Sequence, residues 1–493
     1  MFYRKFLGVS ALSITAMMAT PALAQDHSQM DHSQHQGHDM PATAEPAPAA
    51  PTPMPAPAPT PPAPDHSKMD HGQMGHGQMN HDQMDHNQMD HSKMGHGDMG
   101  KKDATPQAES HAGHGSVANF ATGSGTSRLP GNEGGMHGLM TMTGDWHLMA
   151  HGFVQGAYTD HSGPRGDDKF YVTNMAMFSA SREFEGGKFE ARTMLSLEPA
   201  MSPRGYPNLF ATGETAYGEP LVDRQHPHDL FMELAARLDI DVADNTSVFL
   251  YGGPVGEPAI GPSAFMHRGS AQYNPEPPIT HHWFDSTHIT YGVVTAGISS
   301  DKFQLEASAF RGREPDEDRW DIEKPKLDSW AVRASFNPTP EWSAQVSTAK
   351  LKSPEALHGG DEQRTTASIH GANESGLSAM AAFSAKDRKP GPTLTAWLAE
   401  ANYDLTDRHT VFARYENVKN DELFPDHDDA LHDQPFRVAK MQAGYAYRLP
   451  VTDKVELALG GSLAAYAKPN ALDPYYGKNP LGYTLFAKLS LGH

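Results

Sequence analysis

Seven times between His66 and Met99 the chain repeats one unit: a histidine, two small or polar residues, a methionine and a spacer. The histidines are His66, His71, His76, His81, His86, His91 and His96, and the methionines Met69, Met74, Met79, Met84, Met89, Met94 and Met99. An earlier patch adds His27, Met30, His32, His35, His38 and Met40. Imidazole nitrogen suits copper, zinc and nickel, and the neutral thioether suits Cu(I), with Ag(I) softer still. Asp65, Asp70, Asp82, Asp85 and Asp90 add charge that concentrates cations. A flexible segment so dense in ligands holds ions by rebinding, each at modest affinity. With almost no aliphatic residues it is expected to stay disordered until metal binds. The plain alternative is a solubilising spacer, a role that paired His and Met do not serve.

Two further groups carry metal-ligand chemistry. One is split between Asp223-Arg224-Gln225-His226-Pro227-His228-Asp229 and His281-His282-Trp283-Phe284-Asp285-Ser286-Thr287-His288. If the two stretches meet, His226, His228, Asp229, His281, His282, Asp285 and His288 form one site, joined by His267 of Phe265-Met266-His267-Arg268. Otherwise these residues cap turns and hydrogen-bond the backbone. The other group is His147, Met149, His151, Met175, Met177 and Met194. It could provide stepping sites for Cu(I) or Ag(I), or methionine filling irregular space.

What must position these residues is an all-β frame. Residues 1–24 read as a secretory signal peptide, with Arg4 and Lys5, an apolar stretch over 7–20, and Ala22-Leu23-Ala24 at the cleavage site. Residues 25–143 read as a disordered tail and linker, with a Pro/Ala-rich extended spacer at 41–64. Residues 144–493 change to period-two alternation. Leu230, Met232, Leu234, Ala236, Leu238 and Ile240 interleave with Glu233, Arg237, Asp239 and Asp241. Phe189, Ala191, Thr193, Leu195 and Leu197 interleave with Glu190, Arg192, Met194, Ser196 and Glu198. Such alternation marks half-buried strands.

About sixteen such segments follow, joined by links that mostly alternate long and short, the pattern of a bacterial outer-membrane barrel with short periplasmic turns and long outer loops. The stretches 200–228, 253–285, 313–327, 419–435 and 467–481 are long. Residues 387–391 are short where a long loop is due. An even strand count puts both barrel ends, and hence the tail, in the periplasm. Trp146, Tyr158, Phe170, Trp330, Trp342, Tyr403, Tyr445 and Tyr483 sit at segment ends and could form interfacial girdles. Parity turns His147, Met149, His151, Met175, Met177 and Met194 inward. It also turns inward both signs of charge, among them Arg192, Glu306, Arg333, Glu400, Arg414, Glu416 and Lys440. A polar interior of this kind suits a water-filled lumen. A soluble sandwich or propeller would have to explain alternation of this length with no blade repeat.

The segment 483–491 resembles the C-terminal strand by which outer-membrane barrels are recognised for assembly, which implies the barrel assembly machinery as a partner. Here Gly492 and His493 follow in place of a terminal aromatic. The first hundred residues resemble the copper resistance protein B family. The matching words are Met30-Asp31-His32-Ser33, Met69-Asp70-His71-Gly72 and Met89-Asp90-His91-Ser92. Over the remainder the similarity is one of architecture. The resemblance implies a periplasmic metal-binding tail ahead of an outer-membrane barrel, with a role in copper or silver tolerance.

The chain has no cysteine, so it uses neither disulfides nor thiolate metal sites. A formal net charge of -21 argues against nucleic acid as a partner. No Gly-x-Ser-x-Gly or His-Glu-x-x-His segment occurs, so no enzyme is expected. The expected fold is a transmembrane antiparallel β-barrel in the outer membrane of a Gram-negative bacterium, in contact with its lipid. The expected function is copper or silver handling, with Cu(I), Cu(II) or Ag(I) as the ion and zinc less favoured where Met is abundant and Cys absent. The alternatives are a general porin for small solutes with an incidental tail and, further off, an outer-membrane hydrolase. Oligomeric state is left open.

Overall fold

From Trp146 onward the alternating segments become sixteen antiparallel strands that close into a barrel. The computed structural model describes residues 118–134, 138–356 and 359–492. The signal stretch and the His/Met tail, with every ligand from His27 to Met99, lie outside the described residues. The strands are β1 (Trp146–His161), β2 (Asp168–Phe184), β3 (Gly187–Leu195), β4 (Phe231–Ala243), β5 (Thr246–Gly256), β6 (Thr290–Ser300), β7 (Phe303–Phe310) and β8 (Ser329–Phe336). They continue as β9 (Trp342–Leu351), β10 (Asp361–Ala372), β11 (Leu377–Lys389), β12 (Thr393–Thr406), β13 (His409–Asn420), β14 (Phe436–Thr452), β15 (Val455–Ala467) and β16 (Leu481–Leu491).

Each strand pairs with its sequence neighbour, and β16 closes on β1 from Gly482↔His161 to Leu491↔Gly152. A short strand, Leu139–Thr143, pairs with β1 from Ala150 to Trp146, along the part that β16 does not reach. Closure matters because a bilayer core supplies no hydrogen-bond partners for an open edge. The outward faces carry Leu234, Leu238, Val248, Leu250, Val346, Ile369, Leu463 and Leu485, all exposed. Phe170, Trp330 and Tyr483 stand at the long-loop ends of their strands, and Trp342, Tyr403 and Tyr445 at the short-turn ends. An even-stranded antiparallel barrel with an apolar belt between two aromatic rings has the form of the bacterial outer-membrane barrels. Among the described residues no helix is long and apolar enough to cross a membrane.

Tight turns hold one end together. Gly186 and Asn245 adopt positive φ (81° and 54°) in the two-residue turns after β2 and β4, as such hairpins require. At the other end the long loops turn inward. Residues 257–289 reach across the bore and touch nearly every wall strand. Ala259 N donates to Ser308 of β7, and Gly261 N to Ser347 of β9. Ser384 of β11 donates to the Trp283 carbonyl, Asn402 of β12 to that of Gly269, and Arg414 of β13 to that of Glu276. Lys440 of β14 binds Glu276 at 2.5 Å, Tyr273 OH donates to Glu456 of β15, and Gln155 of β1 donates to the Pro275 carbonyl.

Two sequence expectations change here. Residues 118–134, assigned to the linker by composition, form a two-stranded turn (Phe120–Thr122 with Arg128–Pro130) inside the bore. Arg128 donates to Ser299 and Ser300, and Asn132 to the Ala372 carbonyl. The inward charges do not line open water. Arg333, Arg364, Arg414, Glu416 and Lys440 are buried. Most are paired: Arg333 with Glu306 at 2.9 Å, Arg364 with Glu362 at 2.6 Å, and Arg414 with Glu400 at 2.9 Å. The inward loops take the place of the water that parity alone would assign to them.

Candidate metal centre at the closed mouth

The loop 196–230 between β3 and β4 brings His226 and His228 inward, and the loop 257–289 brings His281, His282 and His288. All five are buried. The rings form one group: His226 lies 6.3 Å from His281 and 6.1 Å from His282, His228 5.4 Å from His288, and His281 5.1 Å from His288. A four-residue helix, His281–Phe284, supplies two of these rings and seats Trp283 and Phe284 in the main apolar cluster of the bore. That packing anchors the helix.

Each imidazole has its Nδ1 committed to an acceptor. His226 donates to the Pro227 carbonyl at 3.0 Å, His228 to Glu198 at 2.9 Å and His281 to Asp285 at 2.8 Å. His282 donates to Glu314 at 3.1 Å and His288 to the Asp285 carbonyl at 2.7 Å. A carbonyl or carboxylate can only accept, so the proton sits on Nδ1. Among the described residues the Nε2 atoms of His226, His228 and His288 are buried without a hydrogen-bond partner, and that of His226 stands 3.4 Å from a Glu214 oxygen. Histidines that bind metal are oriented in this way, one nitrogen fixed by an acceptor and the other left for the ion. Ligand atoms of Glu214, His226 and His282 lie within 4.8 Å of one another, and so do those of His282, Glu314 and Glu355. Beside them a cavity of about 340 Å³ is lined by Glu214, Glu314, Asp316, Glu317 and Asp318, with Arg313 the one cation among the described lining residues. Such an acidic mouth concentrates cations.

The electrostatics follow from burial and neighbours. Burial holds His226 and His288 well below the usual imidazole range, with Arg319 adding to it at His226 and the neighbouring histidines at both. Burial also lowers His281, despite Asp285. At His282 burial pulls the same way, but Glu314, Glu355 and Glu214 together outweigh it, lifting the ring to about 9. Burial raises Glu214 to about 7 against the pull of Arg319.

Not every expected residue belongs to this group as a ligand. Asp229 is already taken: Arg319 donates to it at 3.2 Å and Tyr291 OH at 3.2 Å, while Arg319 also holds Glu214 at 2.9 Å. Asp285 accepts from His281, from Arg268 at 2.9 Å and from the Phe265 backbone N–H, so it braces the site. His267 points elsewhere, its ring 6.4 Å from His151 of β1. Of the lumen residues, His151, Met177 and Met194 lie side by side in register and Met175 two residues further along β2, whereas His147 is exposed and Met149 half-buried near the short-turn end. Glu198, Glu214, Glu314 and Glu355 enter the site unannounced. Two carry a sequence signal: Glu198 through the alternation of its strand, and Glu314 through the acidic run around it in a long loop.

No family model matches the chain, and no curated protein matches it. Solved structures of similar form include an anion-selective porin from Comamonas acidovorans, at 12% identity and TM-score 0.42, covering 70% of this chain and 100% of the porin. Salmonella typhi OmpF in complex with daunomycin matches at 10% identity and TM-score 0.47, over 72% of this chain and 100% of that one. The outer membrane channel DcaP of Acinetobacter baumannii matches at 13% and 0.44, over 72% and 100%. The likeness is one of general form, and no residue correspondence is drawn from it.

Proposed function

We propose that this chain is an outer-membrane barrel that captures a transition-metal cation, copper foremost, at the histidine and glutamate centre closing its outer mouth. In this reading the His/Met tail gathers the same ions on the periplasmic side, and passage between the two is passive. The observation that supports it is the common polarity of the five loop imidazoles, each with Nδ1 spoken for, together with the buried Nε2 atoms of His228 and His288, which have no hydrogen-bond partner among the described residues. Imidazole and carboxylate donors suit Cu(II) and Zn(II). The thioethers of the tail favour copper or silver over zinc as the ion common to both regions, in line with the resemblance to the copper resistance protein B family.

The test is Cu(II) titration of the full chain, followed by quenching of tryptophan emission, because Trp283 lies in the same helical turn as His281 and His282. The double variant His226→Ala/His282→Ala is expected to weaken that quenching by roughly ten-fold or more, the scale of a lost metal-site contact. Equal quenching in both proteins refutes the loop centre. Deleting residues 25–100 is expected to lower copper tolerance in cells, and unchanged tolerance removes the tail from the account. A general solute porin is the second reading, favoured by the closed sixteen-strand barrel with both signs of charge on its inward face. A large bilayer conductance indifferent to copper decides for it.

A further inference from the structure

Below the loop histidines the bore holds a second cluster of different chemistry. Met175 and Met177 of β2, Met194 of β3 and Met232 of β4 are buried and pack together, with Met266 partly buried against them. Met232 reaches the cluster through a register shift between Phe231 and Glu233, which turns both Met232 and Glu233 inward. Two imidazoles border the group. His151 Nε2 lies 3.1 Å from Met177 Sδ. His267 stands 6.4 Å from His151, and its Nε2 is buried with no hydrogen-bond partner among the described residues. The nearby guanidinium of Arg192 is neutralised by Glu233 at 2.9 Å.

An ordinary core does not ask for this. Methionine fills gaps, but thioethers from three neighbouring strands converge here, and an unsatisfied imidazole nitrogen in such a place costs free energy. Neutral sulfur and imidazole donors are the set that prefers a soft ion over Zn(II) or Mg(II). We infer that Met177, Met194, Met232, His151 and His267 form a binding site for a soft monovalent cation, Cu(I) or Ag(I), inside the barrel. The site lies next to the loop centre in the chain's own packing. Phe265 contacts His228, His281 and His288 on one side, and Met266 and His267 follow it on the other. The inference deepens the metal-handling reading by naming a second class of ion, and it stands or falls apart from the loop centre.

The experiment uses the full chain in detergent with silver nitrate, since Ag(I) is inert to air oxidation. The readout is the melting of the barrel by near-UV circular dichroism. Residues 25–117 contain no Phe, Tyr or Trp, so ion binding by the tail is silent in that signal. Ag(I) is expected to raise the melting temperature of the wild type and of His226→Ala/His282→Ala. In Met177→Leu/Met232→Leu, a nearly volume-conserving change, the rise is expected to need roughly ten-fold more Ag(I) or to vanish. If that double variant lacks a folded near-UV spectrum, His267→Gln serves instead, with the same expectation. An undiminished Ag(I) shift in the methionine and His267 variants overturns the proposal, and so does a wild type that Ag(I) does not stabilise. An Ag(I) shift lost only with the methionines, beside Cu(II) quenching indifferent to His226 and His282, keeps this site and discards the loop centre.

Discussion

Arg268 ties the crossing loop to the barrel wall, and replacing it with alanine is expected to loosen the closed mouth. Its guanidinium is fully buried, 2.9 Å from Asp285 on its own loop and 2.7 Å from Glu400 of β12, and it also donates to the Ser263 carbonyl. Removing one member of a buried pair costs about 3–5 kcal/mol, because the partner is left charged and unpaired. Here neither partner is fully orphaned. Glu400 keeps Arg414 at 2.9 Å and Asp285 keeps His281 at 2.8 Å. The lower end, about 3 kcal/mol, is therefore the expected cost. At 1.4 kcal/mol per factor of ten, that lowers the ratio of docked to withdrawn loop by about 100-fold. Planar-bilayer recording of the full chain reads this directly. Wild type is expected to conduct little, and Arg268→Ala to open often, though partially, because residues 118–134 still occupy the bore. Adding Glu400→Gln is expected to cost less in the Arg268→Ala background than in wild type, the sign of a coupled pair. Conductance and melting temperature both unchanged by Arg268→Ala would refute the idea that this loop is what closes the barrel.

Three further perturbations test the site and the frame. Gly213 has φ 115°, and a Cβ there would stand 2.4 Å from His282 Nδ1. Gly213→Ala is expected to cost about 1–3 kcal/mol through backbone strain, and to weaken Cu(II) quenching by displacing the ring. Burial raises Glu257 to about 8, although Arg333 opposes it. The folded value lies above the ordinary 4.5, so this group's contribution to stability is whole below pH 4.5 and is lost as pH rises through about 8. Glu257→Gln is expected to flatten the fall in melting temperature between pH 5 and pH 9, and an unaltered pH profile counts against it. Val346 faces outward in the middle of β9. Val346→Arg is expected to destabilise the barrel by about 2–4 kcal/mol in vesicles, measured by denaturant titration, and a neutral result would mean that this face does not meet lipid.

The frame was legible because lipid and bore impose opposite demands on successive residues, and a strand writes them in alternation. Leu234, Leu238 and Ile240 face outward while Arg237 and Asp239 do not. The same rule misplaced Met232, because a register shift near Phe231 breaks the parity. It also had nothing to offer for residues 118–134, whose Gly and Ser read as linker until Arg128 and Asn132 find wall partners far away in sequence. At the mouth the histidines and Asp285, the partner of His281, could be named, but not the glutamates. Glu198 continues the alternation of its strand and Glu214 lies in an irregular loop with no period, and only packing shows which oxygen meets which ring.

The sequence by itself determined the strands, their even number, the side of the barrel on which the long loops lie, and the residue types able to bind metal. These are local properties, set by alternation, turn residues and side-chain chemistry. Only the tertiary structure decided that residues 257–289 cross the bore. It also decided that His226 and His281 meet at 6.3 Å and that His267 turns instead toward His151, which itself lies against Met177. The reason is that an inward loop satisfies its polar groups with partners spread around the whole wall, and no spacing along the chain records which partners those are.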